Sequence, residues 1–164
     1  MTQENKELLL KDLTARLPYG VIVQQSPKYA DKHFADKWET EPHDFNIIGI
    51  IGKNTLVTDK NVTERTYAKG IVSKPVTICI YDGLTKQTAR PYLRPMSNMT
   101  KEERRELCNI RPCYINSDDI VNGTQCNTFM QASECQDWLN VRHFDYRGLI
   151  EKGLALEAPE GMYK

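Results

Sequence analysis

The chain has 164 residues, 40% of them hydrophobic, 27% charged and 9% aromatic, with 22 basic and 22 acidic side chains and therefore no formal net charge. That length fits one compact domain, or a small domain with a helical appendage, and excludes two large independent cores. Balanced charge excludes a protein whose main work is coating nucleic acid, since that affinity comes from many lysines and arginines on phosphates, and no apolar run approaches the ~20 residues of a membrane span.

The first predicted element is a helix from Glu4 to Leu17, with Leu9, Leu10, Leu13 and Leu17 on one side and Lys6, Glu7, Lys11 and Asp12 on the rest. Pro18 ends it, and Pro18-Tyr19-Gly20 turns the chain into a strand over Val21 to Gln25. Periodicity is lost from Ser26 to Phe45, where Pro27, His33, Trp38, Pro42 and His43 are scattered among charges, so this stretch reads as a long loop. Asn46 to Ile51 reads as a buried strand, Gly52-Lys53-Asn54 as a turn and Thr55 to Thr58 as the returning partner. Asp59 to Gly70 is polar and carries no strand signal. Val76 to Tyr81 alternates as a strand, and the Asp82-Gly83 turn leads into another over Leu84 to about Ala89.

Arg90-Pro91-Tyr92-Leu93-Arg94-Pro95-Met96 reads as a rigid strut, because each proline biases its predecessor toward extended geometry. Thr100 and Glu103 have capping-box spacing ahead of a helix to about Asn109, which Pro112 stops. A loop over Cys113 to Gln131 follows. Ser133 and Gln136 repeat the capping-box spacing before a helix through Trp138, Leu139 and His143. Gly153 is placed to terminate the segment Asp145 to Lys152, and Leu154-Ala155-Leu156 to form a short strand.

The resulting expectation is an α+β protein: an N-terminal helix, a small antiparallel sheet or a partly open SH3-like or Sm-like barrel, and a C-terminal helical region. The division is expected at 1–96 for the helix and β-domain and 97–164 for the helical part. Met1 to Glu7 carries mixed charge with no basic n-region or cleavage site, which predicts a cytoplasmic setting with reduced thiols.

Two long stretches have distinctive wording: Arg90 to Glu103, reading RPYLRPMSNMTKEE, and Asp137 to Tyr163, reading DWLN, then HFDYRGLIEKGLALEAPEGMY from His143. They resemble a family of small uncharacterised proteins encoded by gut Bacteroidales and their phages, as does Leu9 to Val23 with its Leu17-Pro18-Tyr19-Gly20-Val21 core. The resemblance spans roughly a third of the chain and omits Gln24 to Gln87 and the region of Cys113 and Cys126. It implies a cytoplasmic protein of mobile-element origin and no particular reaction.

No motif specifies a reaction. Cys108, Cys113, Cys126 and Cys135 lack the two close pairs that wrap a zinc ion. His33 and His43 flank Trp38 without a third defined ligand. Cys135 precedes His143 by eight positions, ~12 Å of helical rise, so the two cannot form a thiolate–imidazole pair on one straight helix. Gly49 and Gly52 belong to no phosphate-cradling motif, and Asp118-Asp119 reads as a hydrated pair beside the Asn122-Gly123 turn. Trp138, Leu139 and Phe144 read as core.

The candidate binding residues are Arg90, Tyr92 and Arg94 in the strut and His143, Tyr146 and Arg147 after the last helix. Arginine forks and aromatic faces concentrate at partner and nucleic-acid surfaces. The competing structural reading has Tyr92 and Leu93 plugging the end of the sheet, and Arg94 or Arg147 paired internally with Asp145 or Glu151. The expected function is a non-enzymatic cytoplasmic interaction or regulatory module that takes a protein partner, with no cofactor, metal or membrane. A nucleic-acid-binding barrel is the alternative, and a thiol enzyme stands behind both.

Overall fold

The structure, a computed structural model, describes residues 1–25, 43–66, 70–81, 88–110 and 129–163, with 61–66, 70–75 and 129–132 described by backbone course. Loop positions His33 and Trp38, the Asp82-Gly83 turn, the Leu84 to Gln87 part of the strand beyond it, Pro112, and the segment with Cys113, Asp118-Asp119, Asn122-Gly123 and Cys126 lie outside the described residues. The chain divides into two compact units, Met1–Tyr92 and Leu93–Lys164. The fold is α+β.

In the first unit, helix α1 spans Gln3–Arg16, capped by the Thr2 hydroxyl, which accepts the Asn5 N–H. A 3-10 turn over Leu17–Tyr19 carries Pro18 at its start and closes on Gly20 at φ +75°, a left-handed position that favours glycine. The strands are β1, Ile22–Gln25; β2, His43–Ile51; β3, Thr55–Thr66; β4, Gly70–Cys79; and β5, Ala89–Leu93. Their order is β4-β3-β2-β1-β5, with every pair antiparallel. Among the described residues the sheet is antiparallel along this order and does not close on itself.

One face of this sheet meets α1. Leu9 and Leu13 pack with Val21, Val23, Phe45, Ile47, Leu56, Ile78, Ile80 and Ala89, all buried. The side of α1 expected from its leucines does meet the core, with Leu10 and Leu17 packed against it, but the fully buried line also takes in polar residues. It runs Leu9, Asp12, Leu13, Arg16, while Leu10 and Leu17 are half-buried. Asp12, expected among the solvated residues, is fully enclosed, because Arg16 one turn later donates from Nε to its Oδ2 at 2.8 Å and from Nη2 to Oδ1 at 3.1 Å.

Three strand expectations need correction. His43 to Phe45, expected in the long loop, begins β2, its ladder to β1 running from Gln25↔His43 to Ile22↔Asn46. The polar stretch after Thr58 continues β3 to Thr66 against β4 from Gly70, in the register Asn61↔Pro75 to Thr66↔Gly70. Backbone pairing and β-branched threonine and valine sustain that arm without an apolar alternation, which is why pattern reading stops short of it. The strut is also part of the sheet: Arg90 and Pro91 pair with Gln24 and Val23, so the extended geometry imposed by proline serves an antiparallel ladder.

In the second unit, a 3-10 turn over Met96–Asn98 leads to helix α2, Lys101–Ile110, and helix α3 spans Phe129–Val141. The capping box at α2 is formed: Thr100 Oγ1 accepts the Glu103 N–H at 3.1 Å and Glu103 Oε2 accepts the Thr100 N–H at 2.9 Å. Thr100→Ala is expected to lower the stability of this unit by about 1 kcal/mol, read as a reduced urea midpoint at unchanged slope. Ser133 and Gln136 cap nothing, because α3 begins upstream at Phe129 and Ser133 lies in its interior. Phe129-Met130-Gln131-Ala132 contains good helix formers that carry the element back past it.

Helix α3 ends in a Schellman arrangement. His143 N–H donates to the Asn140 carbonyl and Phe144 N–H to the Leu139 carbonyl, with His143 itself at φ +56°. Leu107, Cys135, Trp138, Leu139, Met99 and Phe144 form the core of this unit. Beyond it, both Asp145 carboxylate oxygens accept backbone N–H groups, from Leu149 and Ile150, each at 2.8 Å. The short β6, Leu156–Glu157, is tied within this unit to Leu93, whose carbonyl accepts the adjacent Ala158 N–H. No helix among the described residues is long and apolar enough to cross a membrane.

Candidate functional site

The six binding candidates fall into two groups. Arg90 and Tyr92 belong to the first unit, on the outer face of β5, opposite the face that carries Ala89 into the core. Ladder pairing puts Arg90, Gln24 and Asp44 in one row across β5, β1 and β2. Tyr92 is buried and its hydroxyl is held twice, accepting from Gln24 Nε2 at 2.7 Å and donating to Asp44 Oδ1 at 3.1 Å. Burial first, then the hydrogen bond and negative charge of Asp44, push the Tyr92 phenol above the ordinary tyrosine range. A raised phenol favours the folded state below the unfolded-chain pKa and loses that contribution as pH rises. Alkaline titration is therefore expected to destabilise the wild type more than Tyr92→Phe, with melting temperature against pH as the readout.

Arg90 differs from its neighbours. Its side chain is half-buried, its Nε is shielded from solvent, and that Nε meets no acceptor among the described residues. A solvent-excluded guanidinium nitrogen left unmatched costs roughly 1–3 kcal/mol, and it is among the rarer features of folded proteins.

Farther along the same outer face, Ile48 and Ile51 are each 61% exposed. Both were expected in a buried strand. The β2–β3 register steps between Ile47↔Thr58 and Gly49↔Val57, leaving Ile48 as the extra residue of a bulge that returns Ile50 to the core side and Ile51 to the outside. Asp44, Asn46 and Asp59 are exposed on the same strands, with Asn46 Nδ2 donating to Asp59 Oδ2, whereas Lys60 carries its ammonium over the Phe45 ring at 4.7 Å and donates to the Asp44 carbonyl.

The second group, Arg94, His143, Tyr146 and Arg147, lies in the second unit and is largely engaged in holding it together. Arg94 makes a forked pair with Glu103, Nη1 to Oε1 at 2.8 Å and Nη2 to Oε2 at 3.0 Å, rather than pairing with Asp145 or Glu151. Its guanidinium also covers the Phe144 ring at 4.2 Å. Phe144 stacks on Trp138, centroids 5.9 Å apart and planes 5° from parallel, and Arg142 covers Trp138 at 4.1 Å. Arg142 in turn bonds Glu106, so Glu103 and Glu106, one turn apart on α2, hold the two cations of a four-layer stack.

For Glu103, burial pushes the carboxyl up, but the Arg94 fork, the Thr100 N–H and hydroxyl, and the Arg94 charge together hold it below the ordinary glutamate range. A depressed carboxyl contributes stability above its unfolded-chain pKa and loses it as pH falls through the folded value. Acid titration of the wild type is therefore expected to show a loss of stability in that range that Glu103→Gln lacks.

His143 is buried, with its ring stacked on Tyr163 at 3.7 Å and 16°. Tyr146 donates to Asn140 Oδ1 at 3.1 Å, and Arg147 Nη2 donates to the Tyr146 hydroxyl at 2.7 Å while lying over its ring. Sequence reasoning missed the partners Glu103, Glu106, Arg142 and Tyr163, because contacts between separate elements leave no local spacing signal.

The other chemical candidates do not assemble. Cys79 and Cys108 are half-buried free thiols, and Cys135 is buried. His43 sits on β2 edge-on to Phe45. Among the described residues no three His, Cys, Asp or Glu side chains are grouped to hold a metal ion. Comparison with protein-family models, with curated proteins and with solved structures finds no match.

Proposed function

We propose that this protein is a non-enzymatic interaction module that takes a protein partner on the outer face of its first unit, in the strip that begins at Arg90 and Tyr92. The supporting observation is the unmatched Arg90 side chain. The neighbouring polar groups Gln24, Tyr92 and Asp44 satisfy one another, while Arg90 keeps a solvent-shielded donor without a described acceptor. The terminal nitrogens of this half-buried guanidinium are not shielded in the same way, and a carboxylate docking on them would match the Arg90 charge. The four candidates of the second unit enter this reading as framework, since each is engaged in a stack or hydrogen bond there. The resemblance to Bacteroidales and phage proteins fits a small adaptor of this kind acting in the cytoplasm of such a host.

The nucleic-acid alternative has less support, because on the outer face Arg90 stands among the carboxylates Asp44 and Asp59. Affinity capture from a Bacteroidales lysate, with wild type and Arg90→Gln in parallel, tests the proposal. A protein retained by the wild type and reduced at least tenfold on the variant is expected. Retention of nucleic acid that falls steeply with salt, or partners indifferent to Arg90→Gln, would count against it.

A further inference from the structure

The outer face offers more than a single cation. From Arg90 to Asp44 is a step of two strands, about 10 Å, and from Asp44 to Ile48 is four residues along β2, about 13 Å. Ile48 thus lies roughly 16 Å from Arg90 on the same face, the span of about five residues of extended chain, and Ile51 follows three residues farther along β2. Val57, opposite Gly49 in the ladder and half-buried, backs this apolar end.

We infer that the face binds an extended acidic–apolar peptide segment of the partner, with one carboxylate on Arg90 and a branched or aromatic side chain about five residues away on Ile48 and Ile51. The inference rests on the functional reading above and specifies its partner. Charge selects the occupant. Arg90 presents a planar fork suited to one carboxylate, whereas Asp44 in the same row and Asp59 beside it oppose a dianionic phosphate or a polyanionic backbone. The apolar end is flanked in sequence and in the ladder by the exposed Lys53 and Asp59, so an apolar residue docking there meets charge at its edge rather than further apolar surface.

The orphaned donor supplies a signature that a structural arginine would not have. Replacing Arg90 by glutamine removes the shielded guanidinium, so the free protein is expected to melt at the same temperature or higher while the peptide is lost. A residue holding the sheet together would instead lower the melting temperature with no effect on binding.

The test is selection of a displayed random 12-residue peptide library on the intact chain, followed by titration of the enriched peptides against wild type, Arg90→Gln, Ile48→Lys and a distant control, Arg105→Gln on α2. Enriched sequences are expected to share an acidic residue about five positions from an apolar one. Affinity should fall at least tenfold with Arg90→Gln and with Ile48→Lys and stay unchanged with Arg105→Gln, and amide shifts should move at Gln24, Asp44, Ile48 and Ile51. Enriched peptides that lack an acid, or that shift only amides of the second unit, would overturn this inference while leaving the interaction-module reading in place. Absence of any enrichment counts against both. A chain that sediments as a dimer, dissolved by Ile48→Lys, would assign the face to a second copy and overturn the proposal.

Discussion

Asp12→Ala is expected to destabilise the first unit by about 3–5 kcal/mol, the largest single effect of any polar substitution in it, because it removes the carboxylate to which Nε and Nη2 of a fully buried arginine donate. Asp12 and Arg16 are both fully enclosed, and the pair is held at 2.8 Å within one helix. Two ions taken out of water face a desolvation cost of several kcal/mol each, offset only while both are present in good geometry. The sharper expectation concerns the double replacement Asp12→Leu with Arg16→Met, which should recover much of the loss, since apolar volume in place of both charges removes the desolvation cost of each ion. Denaturant melts followed by circular dichroism would separate the outcomes. A single-variant cost below about 1 kcal/mol would mean that the pair behaves as a solvated surface bridge.

Phe144→Ala should cost the second unit about 3–5 kcal/mol, from lost burial and the cavity left behind. The ring is fully buried and serves three contacts at once: the stack on Trp138, the face offered to Arg94, and the apolar contact that closes the end of α3. Phe144→Leu keeps burial and the Schellman contact but loses the quadrupole that attracts Arg94, so it should fall well short of the alanine cost. Intrinsic Trp138 fluorescence reports the change directly. Equal costs for Leu and Ala would show that ring stacking, and not volume, dominates the site.

Local chemistry of the sequence was readable where one residue dictates one conformation. Pro18 and Gly20 marked the end of α1, Thr100 and Glu103 marked the start of α2, and Gly153 adopts the expected left-handed φ of +67°. What escaped reading depended on partners distant in sequence. Asp12 looked solvated because its burial is licensed by Arg16 and by the sheet above it. Ile48 and Ile51 looked buried because a run of isoleucines does not reveal a bulge that turns two of them outward. The polar arm of β3 and β4 has no hydrophobic alternation to betray it. Arg94 and Arg147, weighed between a binding and an internal role, make internal contacts, whereas the Nε of Arg90, identical in sequence character, meets no acceptor among the described residues.

That contrast makes Arg90 the residue on which the functional account turns, and one paired measurement on Arg90→Gln decides it: melting temperature of the free chain by calorimetry beside the affinity for a captured partner protein. The expected outcome is a melting temperature equal to or above wild type together with at least a tenfold weaker complex. A lowered melting temperature with undiminished affinity would make Arg90 a structural residue and remove the outer face of the sheet as the binding surface.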